Sequence, residues 1–155
     1  MLTHMRSNDA FIGLPHDVFC FTMLQEIIAA DLGVQLGTYR HMVGSLHIYD
    51  SDADAARRFI KEGWQSTEER MPPMPVGDPW PAISLLLQAE RQIRTEGTLE
   101  DAKLDGVDPY WVDLVRMLQV FRCKKDNDLE GINALRERMS CRLYCPFIDR
   151  LAQAL

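Results

Sequence analysis

A run of prolines divides this 155-residue sequence. Between residues 71 and 81, five of eleven positions are proline, namely Pro72, Pro73, Pro75, Pro79 and Pro81. Proline fixes φ and removes a backbone donor, so neither a helix interior nor a central strand tolerates this density. The run therefore predicts a stiff connector over 71–81, with one folded segment before it (residues 1–70) and another after it (residues 82–155).

The first segment has the pattern of a mixed α and β structure. Residues Leu2 to Ile12 predict a strand, which glycine and proline end. Residues Asp17 to Leu32 predict a helix with Asp17 as its N-cap, and its broad apolar face predicts that it is largely buried. Residues Gln35 to Tyr49 predict one long strand or a strand pair. Aspartates then cap a predicted helix over residues 50–62.

The second segment has helical spacing throughout. The predicted helices are Ala82–Arg94, Tyr110–Lys124, Leu129–Met139 and Leu143–Leu155. Asp108 and Pro109 have the residue types that cap and open the second of these helices. One apolar stripe along it is formed by Trp111, Leu114, Met117, Leu118 and Phe121. The whole chain is therefore predicted to be α+β, a strand-helix-strand-helix segment followed by a helical C-terminal region.

Charge and composition exclude several classes of function. A net charge of −6 argues against binding polymeric nucleic acid, which needs a basic surface. No apolar run approaches the ~20 residues that span a membrane, and the first residues do not have the pattern of a signal peptide. Four cysteines without framework spacing predict reduced thiols and a cytoplasmic location.

No metal site is predicted. Three alternating aspartates resemble a calcium-binding loop: Asp50, Asp52 and Asp54. In that loop the sixth position is glycine and the twelfth is glutamate, whereas Ala55 and Lys61 stand there in this chain. Cys141 and Cys145 would lie one turn apart on a helix, but two further zinc ligands are not close to them in the sequence.

Two short stretches contain the candidate functional residues. The first begins with Arg6 and Ser7, and an arginine fork matches the oxygens of a phosphate while an adjacent serine can add a hydrogen bond. In the second, His47 and Tyr49 alternate along a predicted strand, so both side chains point to one side. There they could bind the same hydroxyl group.

These stretches resemble the thymidylate synthase family. Residues 6–17 (RSNDAFIGLPHD) resemble its nucleotide-binding segment, and residues 44–49 (GSLHIY) resemble its sugar-binding segment at the same spacing. The resemblance covers roughly residues 2–62. It implies that Arg6 and Ser7 bind the nucleotide phosphate, that His47 and Tyr49 bind the sugar, that Asp9 lies on the folate side, and that the backbone of Gly13 approaches the ligand.

One position within the resemblance bears on the substrate. Asp17 stands where thymidylate synthases carry asparagine, and this exchange is typical of the cytidylate hydroxymethylase branch. A protonated aspartate can donate to the ring nitrogen of cytosine and accept from its amino group, whereas an asparagine amide is complementary to uracil. We therefore expect Asp17 to select cytosine. A second departure is Ser45, which replaces an aspartate and alters the local hydrogen-bond pattern.

The resemblance implies a one-carbon transfer to C5 of a pyrimidine nucleoside monophosphate. The best match is a deoxycytidylate or cytidylate 5-hydroxymethylase that uses 5,10-methylenetetrahydrofolate and forms a homodimer. Two alternatives stay open. One is methylation of deoxyuridylate, as in thymidylate synthase, and the other is a non-catalytic nucleotide-binding or assembly module whose helical half docks a partner.

The family's nucleophilic cysteine is expected to be missing from this chain. In the family it lies upstream of the Arg-Ser pair, beyond the five residues that precede Arg6 here. Cys20 is the cysteine closest to the motif, and its apolar sequence neighbours Phe19 and Phe21 are expected to blunt it. No catalytic residue is therefore assigned. The chain is expected to correspond to the C-terminal half of an enzyme, to bind nucleotide weakly and to turn over nothing by itself.

Overall fold

A computed structural model of the chain describes residues 1–63, 70–97 and 99–155. The chain forms two compact units, Met1–Glu68 and Glu69–Leu155. Six helices lie in the described ranges, together with short parallel strands. The predicted α+β class is therefore confirmed.

The first unit is built on a parallel strand pair. Its strands are β1 (Leu2–Met5), β2 (Asn8–Asp9), β3 (Arg40–Val43) and β4 (Leu46–His47). Strand β1 pairs with β3 from Leu2↔Arg40, and β2 pairs with β4 as far as Asp9↔His47. The register is the same in both pairings, so they form one ladder that is interrupted between Met5 and Asn8. Arg6 and Ser7 lie in that interruption.

The first helix makes the crossover that a parallel pair requires. Helix α1 (Gly13–Asp31) joins β2 to β3, and a turn of 3-10 helix (Asp50–Asp52) leads from β4 into α2 (Ala53–Lys61). The prediction of a single strand from Leu2 to Ile12 was too long, since only Leu2–Met5 and Asn8–Asp9 are strand.

The predicted N-cap role of Asp17 was wrong, because α1 begins four residues earlier at Gly13. The carboxylate of Asp9 accepts the backbone N–H groups of Phe11, Ile12 and Gly13 and so starts the helix upstream of Pro15. Proline is compatible with a first helical turn, where its missing N–H would lack an intrahelical partner anyway.

At helix α2, the predicted capping bond is also absent, since the Asp52 side chain accepts no hydrogen bond from the backbone of that helix.

The predicted burial of α1 was also wrong within the described residues. Gln25 is its only buried residue, and Phe19, Leu24 and Ile28 are exposed. The reason is that apolar residues occur on every side of this helix, whereas the first unit offers one narrow strand pair to pack against. The Gln25 Nε2 donates to the carbonyl of Gly37 (2.8 Å) and ties the helix to the loop before β3.

The second unit is helical, as predicted. Its helices are α3 (Trp80–Glu96), α4 (Pro109–Lys125), α5 (Leu129–Glu137) and α6 (Cys145–Ala152). Helix α3 begins inside the predicted connector, with Pro79 at its N-cap and Pro81 in its first turn. A turn of 3-10 helix, Arg142–Tyr144, separates Cys141 from Cys145, so the two cysteines do not share a helix.

Helix α4 packs on two sides, against α3 and against α5 with α6. Asp108 caps it by accepting the N–H of Tyr110 (2.9 Å), which confirms the predicted cap. The predicted apolar stripe was only partly correct. Phe121 is exposed, whereas Val115 and Val120 are completely buried, because two packed faces cannot be described by one stripe.

A buried carboxylate joins α4 to the segment that follows α5. Asp113 is 1% exposed and accepts the backbone N–H groups of Ser140 (3.0 Å) and Cys141 (2.7 Å). It also pairs with Arg116 Nη1 at 3.1 Å. Three donors compensate the burial of this carboxylate, so it ties α4 to the segment that follows α5.

We predict that Asp113→Ala destabilises the second unit. The change leaves two backbone donors and a cation without their shared acceptor, which costs about 3 kcal/mol of unfolding free energy. Urea denaturation followed by circular dichroism measures the loss. Asp105→Ala, at an exposed position in the same unit, is the matched control. Equal midpoints for the two variants would contradict this role.

Candidate functional site

The interruption in the strand ladder brings the candidate residues together. The Oγ of Ser7 lies 3.3 Å from Nδ1 of His47, although the two residues are 40 positions apart in sequence. The rings of His47 and Tyr49 are 4.9 Å apart and nearly perpendicular. Tyr49 has extended backbone angles, so it continues the alternation of β4 and stays on the side of His47. Three of the predicted substrate-binding side chains therefore form one cluster.

Arg6 lies beside this cluster with its side chain exposed. None of the ion pairs in the described ranges involves Arg6, so its guanidinium is available to an anion from solution. The backbone of Arg6 is close to that of the partner strand. A Cβ at Gly44 would lie 2.9 Å from the Arg6 carbonyl oxygen, so the partner strand can approach Arg6 only because residue 44 is glycine.

Asp9 is bound to the start of α1. Its Oδ1 accepts from Phe11 N (3.1 Å), and its Oδ2 accepts from Ile12 N (2.7 Å) and Gly13 N (2.9 Å). These backbone bonds, that from Gly13 foremost, lower the pKa of the Asp9 carboxyl below its usual value. Asp9 is therefore an ionised helix-capping group at the edge of the candidate site. The predicted contact with folate stays a prediction.

Gly13 has a structural reason to be glycine. A Cβ at this position would lie 2.7 Å from Oδ1 of Asn8. Asn8 is 6% exposed, the most buried residue of the motif, and sequence reasoning did not single it out. Its position between Ser7 and Asp9 was the only available signal. The predicted approach of a ligand to Gly13 stays a prediction.

Asp17 lies on α1 and makes no hydrogen bond to the cluster among the residues that the structure describes. It is half-buried in the second turn of α1, and no hydrogen bond in the described ranges holds its carboxylate. Helix α1 connects Asp17 to the cluster. The helix begins at Gly13, which donates its N–H to the Asp9 carboxylate and packs against the side chain of Asn8. The position of Asp17 therefore depends on how the first turn of α1 is held.

No cysteine takes part in the hydrogen bonds of this cluster in the part of the chain that the structure describes. Cys20 is exposed on α1, whereas its apolar sequence neighbours Phe19 and Phe21 were expected to blunt it. In the second unit, burial and the nearby Asp128 raise the pKa of the Cys123 thiol, which suppresses the reactive thiolate. Among the residues that the structure describes, no group of three or more His, Cys, Asp or Glu side chains is placed to hold a metal ion.

Within ranges 1–63, 70–97 and 99–155, every helix is too short or too polar to cross a bilayer.

We predict that Gly44→Ala disturbs the strand ladder at Arg6. The added Cβ would contact the Arg6 carbonyl at 2.9 Å, and relief of that contact requires the strands to separate. Such overpacking costs about 1–3 kcal/mol of stability. Thermal unfolding followed by circular dichroism measures the cost. The control is Gly37→Ala, where a Cβ meets no atom within 4 Å. Equal melting temperatures for both variants would disprove the close approach.

The lowered pKa of Asp9 predicts a pH dependence of stability. A depressed carboxyl pKa stabilises the folded state above the unfolded pKa of about 3.9, and this contribution disappears as pH falls through the folded value. Asp9→Asn should therefore be less stable than the wild type at neutral pH. The difference in melting temperature should shrink as the pH falls below about 4. A constant difference across that range would show that the carboxylate is not the capping group.

Comparison with known proteins agrees with the motif. A family model described as thymidylate synthase matches residues 1–97. The match continues beyond residue 62, where the sequence resemblance ended, through the proline-rich segment and helix α3. Two relatives are the thymidylate synthases of Listeria monocytogenes strains HCC23 (serotype 4a) and CLIP80459 (serotype 4b). Each is 27% identical over 75 residues, which are 48% of this chain and 23% of the relative. The matched stretch thus spans about a quarter of the length of these relatives.

Proposed function

Because the chain belongs to the thymidylate synthase family, we propose that residues 1–70 form the nucleotide-binding segment of a pyrimidine C5 one-carbon transferase. The observation that carries the proposal is the cluster at the interrupted ladder, where Ser7 Oγ is 3.3 Å from His47 Nδ1 beside the exposed Arg6. Our proposal for the nucleotide is deoxycytidylate or cytidylate.

The phosphate is assigned to Arg6 and Ser7. The guanidinium keeps its charge at any physiological pH and presents parallel N–H donors to two phosphate oxygens. The Ser7 hydroxyl, within reach of His47, can donate to a third oxygen while His47 orients it. Because the chain has a net charge of −6, a small anion has to be attracted locally, and Arg6 supplies a cation at the cluster.

The sugar is assigned to His47 and Tyr49. Their rings stand edge to face at 4.9 Å, which leaves an imidazole nitrogen and a phenol oxygen on one side of β4. Tyr49 is 58% exposed, so its hydroxyl is open to a ligand. Two groups that can donate and accept are suited to a sugar hydroxyl, which also does both.

The base is assigned to Asp17. In the protonated state, aspartate donates one hydrogen bond to the ring nitrogen of cytosine and accepts one from the exocyclic amino group. Uracil presents the opposite pattern at the ring nitrogen and the adjacent carbonyl, and an asparagine suits it. Sites built on such bonds reject the mismatched partner strongly, because a buried polar group is left unpaired.

Family membership supports the remaining parts of the proposal, and Asp17 supports the choice of product within it. The one-carbon donor is 5,10-methylenetetrahydrofolate, the product is a 5-hydroxymethyl pyrimidine nucleotide, and the working form is a cytoplasmic homodimer. Asp9 and Gly13 lie on the folate side in this proposal. A second candidate is methylation of deoxyuridylate, which the names of the two Listeria relatives favour.

A non-catalytic module is the candidate from a different class. It is favoured by one observation, namely that helices α4, α5 and α6 lie outside the range that the family model matches. These helices have buried contacts of their own, so they could serve assembly. Binding without turnover in the longest natural form of the protein would support this candidate over the transferase.

We predict that the full chain binds deoxycytidylate more tightly than deoxyuridylate, and that Asp17→Asn reverses the order. A mismatch between residue 17 and the hydrogen-bonding edge of the base should change the ratio of the dissociation constants for deoxyuridylate and deoxycytidylate by at least about tenfold. Calorimetric titration with both nucleotides measures it. Asp105→Asn, at an exposed position in the second unit, is the control and should keep the wild-type ratio. Equal affinities of the wild type for the two nucleotides would refute the assignment of Asp17.

A further inference from the structure

Three side chains form a hydrogen-bonded row beside the first strands. The Tyr39 Oη is 2.6 Å from Nδ1 of His41, and the His41 Nε2 is 3.2 Å from Nδ2 of Asn8. Asn8 is buried, and Tyr39 and His41 are partly buried. The ring of Phe21, on α1, lies 6.5 Å from the His41 ring. The row therefore connects β3 to β2 close to helix α1.

The chemistry of the row determines which His41 nitrogen carries the proton. The Nδ2 of Asn8 can only donate, so the Nε2 of His41 must be the unprotonated acceptor. The imidazole is then neutral, with its proton on Nδ1 and directed at the Tyr39 oxygen. The opposite amide orientation is disfavoured, because it would place N–H groups against the C–H groups of Gly13, where Oδ1 now lies 2.7 Å from the Cβ position.

Asn8 is in contact with both parts of the candidate site. Its backbone N–H donates to the Ser45 carbonyl (2.9 Å) and so joins β2 to the segment that leads into β4. Its side-chain oxygen lies against Gly13, the first residue of α1. The amide thus separates the strand pair, which carries Ser7 and His47, from the helix that carries Asp17.

We propose that His41 is a positioning residue for Asp17. Held by Tyr39, its neutral imidazole fixes the Asn8 amide, and the amide oxygen in turn sets the first turn of α1 relative to β2 and β4. His41 acts through Asn8 and has both ring nitrogens occupied, so it does not contact the nucleotide. This inference rests on the proposed function for the role of Asp17, whereas the row itself is independent of any ligand.

Loss of the imidazole should affect base selection more than phosphate binding. Without the acceptor, the buried Asn8 amide must rotate or move to find a partner, and the first turn of α1 moves with it. Arg6 and Ser7 lie between the two paired stretches of the ladder, whose backbone pairing does not involve the Asn8 side chain, so the phosphate contacts should persist. A merely structural loss of stability would leave the ratio between the two nucleotides unchanged.

The test uses the full chain and three substitutions. His41→Phe keeps a ring but removes both nitrogens, and His41→Gln restores an acceptor for Asn8. His4→Phe, at an exposed position on β1, is the control. Calorimetry with deoxycytidylate, deoxyuridylate and inorganic phosphate should show a preference for deoxycytidylate that falls about fivefold in His41→Phe, the value of one hydrogen bond. The preference for deoxycytidylate should be partly restored in His41→Gln and unchanged in His4→Phe. The affinity for inorganic phosphate should be the same in the wild type and all three variants. An unchanged nucleotide ratio in His41→Phe would overturn the inference.

A second measurement keeps this inference separate from the proposed function. In ligand-free wild-type protein, the ¹⁵N NMR spectrum should show His41 neutral with Nδ1 protonated, and His41→Phe should shift the backbone amide of Gly13. The opposite tautomer, or an unshifted Gly13 amide, would overturn the positioning role whether or not nucleotides bind. Absence of nucleotide binding by the wild type, with both NMR results as expected, would reject only the proposed function. If His41→Phe fails to fold, the wild-type tautomer and the His41→Gln ratio decide.

Discussion

The parallel pairing of two distant stretches is the constraint on which the candidate site depends. Residues Leu2 to Asp9 pair with Arg40 to His47 in one register, with a gap at Arg6 and Ser7. A slip of one residue would turn each side chain to the other face and separate Ser7 from His47. Gly44 allows this register because it admits the Arg6 carbonyl at close range. A cation and a hydroxyl are thereby held where the ladder opens, beside a histidine and a tyrosine.

The start of helix α1 is the second determinant of the site. Asp9 is the last residue of β2, and its carboxylate caps α1, so a short, charged junction joins the strand to the helix. Asn8 lies on the other side of that junction, against Gly13. Our proposal for Asp17 therefore depends on two residues that would not contact the base. This explains why a motif with few ligand-facing residues contains so many constrained positions.

Local patterns predicted much of this structure. The α+β class, the Asp108 cap and the alternation of His47 with Tyr49 follow from residue spacing over short distances. Long-range contacts were not accessible in this way. Asn8 meets His41 33 residues later, and Asp113 accepts from Ser140 and Cys141 across 27 and 28 residues. The early start of α1 was missed because Asp9 caps it from within a strand. A polar residue in a strand pattern indicates neither a cap nor a partner.

The central claim is that the ladder interruption binds the phosphate of a pyrimidine nucleotide. The most direct measurement compares deoxycytidylate with deoxycytidine, which lacks the phosphate, by calorimetric titration of the full chain and of Arg6→Gln. Arg40→Gln, which also removes an exposed arginine from this strand pair, is the control. The account predicts that the wild type and Arg40→Gln prefer deoxycytidylate by about tenfold or more, and that Arg6→Gln loses this preference. An equal preference for deoxycytidylate in Arg6→Gln and the wild type would contradict it.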